Sequence, residues 1–159
     1  MANMKRRQLL QYGGLGCSIA LAGCFGGAPE SRETPTEGAS ETPSVNETTF
    51  SIIRRQSGTQ ISSATVAFDG NQVVVDGTIW GSNGCKTADL TDISYDTSAN
   101  KLSLSVGTTE MPDAGDMCTQ AIMEIDYRAT VTFENGLPDT VSISHDSGDG
   151  LNPVTTATP

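Results

Sequence analysis

Few residues in this chain could do chemistry. His145 is its single histidine, followed by Asp146 and flanked by Ser142, Ser144 and Ser147. Serine, imidazole and carboxylate are the parts of a nucleophilic triad, in which the imidazole takes the hydroxyl proton and the carboxylate orients the ring. No Gly-x-Ser-x-Gly elbow is present to present such a serine. His145 also shares the alternation phase of Val141 and Ile143, which points to a strand-end histidine held by local hydrogen bonds. A catalytic role for His145 is the alternative. Asp146-Ser147-Gly148-Asp149-Gly150 has the look of a calcium loop, but without the alternating ligands and distal glutamate that an EF-hand loop uses, so a solvated turn is expected. The same holds for Asp113 and Asp116 around Gly115. Trp80, the one tryptophan, is either a binding aromatic or the packing partner of a nearby disulfide. Arg54-Arg55 is a lone basic pair, more in keeping with a solvated edge than a phosphate site. No metal site and no cofactor are expected.

Cys85 and Cys118 are the thiols that remain once the first 24 residues are set aside. Outside the cell, two cysteines usually pair. No Cys-x-x-Cys spacing suggests redox or metal chemistry. A Cys85–Cys118 bond would close a loop of 33 positions, worth ~3–4 kcal/mol by the chain-entropy argument. That is a large share of the stability of a small domain.

The compartment is inferred from the N-terminus. Lys5-Arg6-Arg7 is a basic region, followed by a short apolar stretch over 9–23. A membrane-spanning helix needs ~20 apolar residues, so the segment reads as a signal peptide, 1–23. Arg6 and Arg7 followed by Gln8-Leu9-Leu10 resemble the twin-arginine export signal. Leu21-Ala22-Gly23-Cys24 resembles a lipobox, with small residues beside the scissile bond and the Cys24 thiol to carry lipid. The expected location is the outer face of the cell membrane, with the lipid membrane as a partner through Cys24.

After Cys24 comes a linker to about residue 48. It is rich in Gly, Pro, Ser and Thr and carries Glu30, Glu33, Glu37, Glu41 and Glu47. Such a composition buries too little apolar area to offset ordering entropy. As a flexible coil it would average ~25–30 Å end to end, enough to hold a folded head off a membrane. Asn46-Glu47-Thr48 matches the N-glycosylation sequon and makes Asn46 a candidate glycan site. Loss of 1–23 removes three bases and no acid, leaving 6 basic against 19 acidic residues, net −13. This excludes a broad nucleic-acid surface, which needs clustered positive charge. Abundant acid and Thr, few lysines and few large apolar side chains resemble proteins of salt-loving archaea. Molar salt screens their self-repulsion to within ~3 Å.

The folded part, 49–150, must position everything else, and it reads as strands. From Ala121 to Phe133 the odd positions are apolar or aromatic and the even ones polar, with Ile122 the exception. Leu102, Leu104 and Val106 alternate with serines, as do Val141 and Ile143. Seven strands are expected, over 49–56, 60–68, 72–80, 86–95, 101–108, 118–134 and 139–146, separated by Gly-, Asn- and Asp-rich turns. A phase slip between Leu90 and Ile93 predicts a bulge. The segment 111–117 is the expected exposed loop, and 151–159 the expected flexible tail. The fold class is all-β, a small antiparallel sandwich or barrel with one disulfide.

Gly84-Cys85-Lys86-Thr87-Ala88, the strand Leu102 to Val106, Cys118-Thr119-Gln120 and Tyr127-Arg128-Ala129 are similar to the small β domain of PrcB-like proteins, which associate with a surface protease. Asp126-Tyr127 stands where that pattern has Pro-Tyr. The resemblance implies a β interaction domain. The whole chain resembles a haloarchaeal twin-arginine-exported surface lipoprotein. Together these readings predict a non-catalytic binding module whose partner is a surface protein, a glycan or a small ligand. The alternatives are a surface hydrolase using His145 or a protease-associated regulatory subunit.

Overall fold

The computed structural model describes residues 41–159. The export signal with Arg6 and Arg7, the lipidation residue Cys24 and the linker through residue 40 lie outside the described residues. The alternating segments form eight strands: β1 (Ser44–Ser57), β2 (Ser63–Asp69), β3 (Gln72–Gly81), β4 (Lys86–Asp96), β5 (Lys101–Glu110), β6 (Met123–Glu134), β7 (Thr140–Asp146) and β8 (Asn152–Ala157). They make two four-stranded sheets, β1-β6-β3-β2 and β4-β5-β7-β8, with free edges rather than a closed barrel.

The core is what the alternation predicts. Val73, Val75 and Ile79 of β3 and Ile125, Tyr127, Ala129, Val131 and Phe133 of β6 are buried against Leu102, Leu104, Val106, Val141 and Ile143 of the second sheet. Each large apolar side chain so buried contributes ~1.5–3 kcal/mol relative to exposure. The even positions of β6 carry its polar side chains outward, as a sheet with one buried face requires.

One pairing departs from the antiparallel expectation: β5 and β7 run parallel, Lys101 opposite Thr140 through Gly107 opposite Asp146. Between them the chain crosses to the other sheet as β6, so β7 returns in the direction of β5. A parallel pair needs such a crossover.

Three expected boundaries are corrected. β1 begins at Ser44, inside the expected linker, because the long β6 needs a partner along its far end: Val45 faces Phe133 and Thr48 faces Val131. Asn46 is thereby exposed on β1, at a register shift between Val45 and Glu47. β6 begins at Met123, so Cys118 sits in the preceding loop, where Gly84 N–H donates to the Thr119 carbonyl at 2.9 Å. Ile122, the residue that broke the alternation, marks that boundary. The expected tail is instead strand β8, an eighth strand paired to β7. Its Pro153 lies where the register slips, on an edge strand that tolerates a missing N–H. The expected bulge in β4 is present between Leu90 and Asp92.

Candidate functional site

The inward phase of β7 carries His145 into the core beyond Ile143, leaving it only 2% exposed. A buried imidazole must satisfy both ring nitrogens, and its partners come from the opposite sheet. Tyr127 of β6 reaches Nε2 through its hydroxyl at 2.7 Å. The phenol has room because β3 places Gly77 directly opposite it; a Cβ at Gly77 would overlap the Tyr127 ring. Phe50 stacks on that ring at 5.4 Å between centroids, and His145 meets it edge-on at 5.6 Å. On the other side, the hydroxyl of Ser62, just before β2, lies 2.8 Å from Nδ1.

Burial sets the charge states. It pulls the His145 pKa down to about 4, so the ring is neutral at pH 7. Burial also pushes Tyr127 well above the usual phenol range, with Asp76 adding a smaller push the same way. The array is therefore three neutral groups. Its proton order follows from satisfaction of the buried phenol. His145 is the hydrogen-bond partner of the Tyr127 hydroxyl among the described residues, so the phenol proton goes to Nε2 rather than remaining buried without an acceptor. Nδ1 then carries the ring proton and donates it to Ser62 Oγ. In that order the Ser62 hydroxyl proton is not taken up by the ring.

Ser62 and His145 form part of the wall of a cleft of about 160 Å³, completed by Trp80 at the end of β3, Ser147 and Asp149 from the β7–β8 turn and Asn152 of β8. Trp80 is thus brought to the same place as His145. Asp146 is not. Its carboxylate accepts from Gly148 N–H at 2.8 Å and Gly150 N–H at 3.0 Å, closing the turn on the far side of the strand. Residues adjacent on a strand point to opposite faces, so Asp146 does not orient the ring as the alternative triad reading would need. Asp113 and Asp116 are exposed in the loop before β6. Among the described residues no group of three metal-ligating side chains occurs.

The disulfide is present as expected, with Cys85 and Cys118 Cα atoms 5.4 Å apart. The two arginines separate. Arg55 donates to the carbonyls of Lys86 and Gly84, at 2.6 and 3.0 Å, and so braces the start of β4. Arg54 pairs with Asp126 at 2.9 Å on the outer face of the first sheet. Asp126 is held below the usual carboxylate range, first by the Thr78 hydroxyl and then by Arg54. With Asp76 and Arg128, paired at 2.7 Å, these residues line a wider groove of about 490 Å³. Its charges are spent on one another, which leaves the His145 cleft as the better candidate.

Sequence reasoning did not identify Ser62, Tyr127 or Gly77. Tyr127 was legible in principle: it lies on the inward phase of the longest alternating run, its hydroxyl needs a buried partner, and His145 is the inward polar residue able to serve. Ser62 follows from tertiary placement alone. No protein-family model, curated protein or solved structure matches this chain.

Proposed function

We propose that this chain is a surface lipoprotein, exported by the twin-arginine route and anchored through lipid on Cys24, whose β domain is a non-catalytic binding module on an acidic tether. The observation that carries the non-catalytic reading is the placement of the His145 ring between the Tyr127 hydroxyl, 2.7 Å from Nε2, and Ser62 Oγ, 2.8 Å from Nδ1. Satisfying the buried phenol puts the ring proton on Nδ1, toward Ser62, and a general base must instead offer a lone pair to the proton it removes. The low pKa of the ring, about 4, further weakens it as a base. A second reading, a hydrolase, draws on the 2.8 Å approach of Ser62 Oγ to Nδ1.

An active-site-directed fluorophosphonate separates the two readings. The mature protein is expected to remain unlabelled at Ser62. Labelling there that disappears in His145→Gln would install the hydrolase in its place. The anchor is tested independently by mass spectrometry, which should find an N-terminal residue 24 carrying lipid; an unlipidated product beginning elsewhere removes the membrane from the proposal.

A further inference from the structure

Four strands end the two sheets: β1 and β2 on the first, β4 and β8 on the second. An open edge is a row of unpaired N–H and C=O groups that another strand can pair with, and proteins blunt it with bulges, charge or proline. Three of these edges are blunted. β1 has two register shifts and carries Arg54 and Arg55. β4 has a bulge between Leu90 and Asp92 and carries Lys86, Asp89, Asp92 and Asp96. β8 has Pro153 and a register slip. β2 has none of these devices. It pairs with β3 without a shift, holds no proline and no base, and its one acid, Asp69, is its last residue.

The β2–β3 hairpin fixes which backbone groups are open. Gly70-Asn71 is a two-residue turn closed by the Asp69–Gln72 pair, with Gly70 at φ 58°. A pair flanking such a turn exchanges both of its backbone hydrogen bonds, and the bonding direction alternates along an antiparallel strand. Asp69, Ala67, Thr65 and Ser63 therefore bond to β3. The N–H and C=O groups of Ala64, Val66 and Phe68 point out of the open edge, where among the described residues they have no hydrogen-bond partner. The side chains of Ala64, Val66 and Phe68 lie on the inner face, packed against the core. Those of Ser63, Thr65, Ala67 and Asp69 are exposed on the outer face.

A second copy of the same strand satisfies this edge. About a two-fold axis through Val66, perpendicular to the sheet, Val66 faces its own copy and Ala64 faces the copy's Phe68, so every open group of the three residues is paired. On the inner face a small side chain then meets a large one, and no polar group enters. On the outer face Thr65 meets Ala67 and Ser63 meets Asp69, so the acid of each strand faces a hydroxyl rather than its counterpart. β8, which packs beside β2 at this corner, carries no charged side chain. The two copies thus approach without like charges on either strand, in a chain of net charge −10. An unrelated segment would need the same apolar alternation and no acid opposite Asp69, which β2 itself supplies. We propose that β2 is a dimerisation strand: two copies pair antiparallel through Ser63–Asp69 and join their four-stranded first sheets into one continuous sheet. The pairing goes beyond the binding-module reading and does not depend on it.

The register gives a test that random collision does not mimic. Ser63 and the copy's Asp69 form a non-hydrogen-bonded pair, whose Cα atoms stand ~4.5 Å apart, within disulfide reach. Ser63 and its own copy lie at opposite ends of the paired strands, ~20 Å apart. The full chain is expressed as Ser63→Cys and as Asp69→Cys, separately and together, and oxidised in molar KCl to screen the acidic surplus. A disulfide-linked species of twice the monomer mass should form on co-expression and not with either variant alone. Its absence from the co-expressed sample overturns the proposal, as does equal linkage in the single-variant samples or linkage to a different protein. A second measurement needs no added thiol. The wild-type chain should sediment as a dimer in density-matched detergent at the same salt. Thr65→Glu combined with Ala67→Glu sets acid against acid across the axis and should sediment as a monomer with an unchanged melting temperature. A monomeric wild type, or a dimer that survives the added acids, overturns the pairing.

Discussion

Two corners of the sandwich lie at the end where β3 finishes, and they are closed differently. At one, where β1 approaches β4, the chain leaving β3 is tied by Cys85–Cys118 and by Arg55 on the Lys86 and Gly84 carbonyls. At the other, where β2 approaches β8, Ser62 and Tyr127 of the first sheet are joined to His145 of the second by hydrogen bonds. A covalent tie acts mainly on the unfolded chain and leaves its corner indifferent to pH. A hydrogen-bonded imidazole depends on its protonation state, and it leaves a hydroxyl free at the protein surface. The first device secures the loop that precedes β6; the second shapes a cleft.

The largest expected effect breaks the covalent corner. Replacing Cys85 and Cys118 together by serine should cost ~3–4 kcal/mol, read as a fall in the urea midpoint. That loss should be the same at pH 7 and pH 5, because no titrating group is involved.

The other corner should show the opposite behaviour. His145 sits at about 4 in the folded protein against 6.5 for the free side chain. Between those values the unfolded chain binds a proton that the folded one refuses, so stability falls as pH drops through this window. The full difference is worth roughly 3 kcal/mol. The upper part of the window belongs to His145, since Asp96, Glu124 and Asp126 titrate below the usual carboxylate range. Denaturant titrations from pH 7 to pH 4.5 should record the slope, and His145→Gln should flatten it. A wild-type profile already flat over that range would remove the buried neutral histidine from the account.

A smaller effect sharpens the geometry. Gly77→Ala places a methyl group against the Tyr127 ring, an overpacking worth ~1–3 kcal/mol. In a Tyr127→Leu background the shorter side chain should absorb most of the added methyl. The double-mutant cycle should therefore show strong non-additivity in the denaturant midpoints.

These two corners also differ in how far the sequence revealed them. The disulfide followed from the expected compartment and the cysteine number, and the inner faces of β5, β6 and β7 from strict alternation, since a two-residue period admits one buried face. The bulge in β4 was visible as a phase slip at Leu90. What escaped was set by partners distant in sequence. Val45 and Thr48 lie in a segment of linker composition and become strand because β6 extends past Thr49 and presents an unpaired edge. Asn152 to Ala157 likewise reads as a polar tail until β7 offers it an edge. The site followed the same division. His145 and Trp80 could be nominated by type, but their meeting with Ser62 depends on how the two sheets face each other, and residue spacing along one chain does not encode that.

The central claim is that Tyr127 fixes the His145 tautomer and so makes Ser62 a positioned ligand-facing hydroxyl rather than a nucleophile. Nitrogen-15 NMR of the imidazole tests it directly, and with one histidine in the chain the assignment is unambiguous. At pH 7 the account predicts a neutral ring with the proton on Nδ1 and an acceptor nitrogen at Nε2, shifting when Tyr127 is replaced by phenylalanine. A proton on Nε2, with Nδ1 accepting from Ser62, would contradict the account and give Ser62 the base that a hydrolase requires.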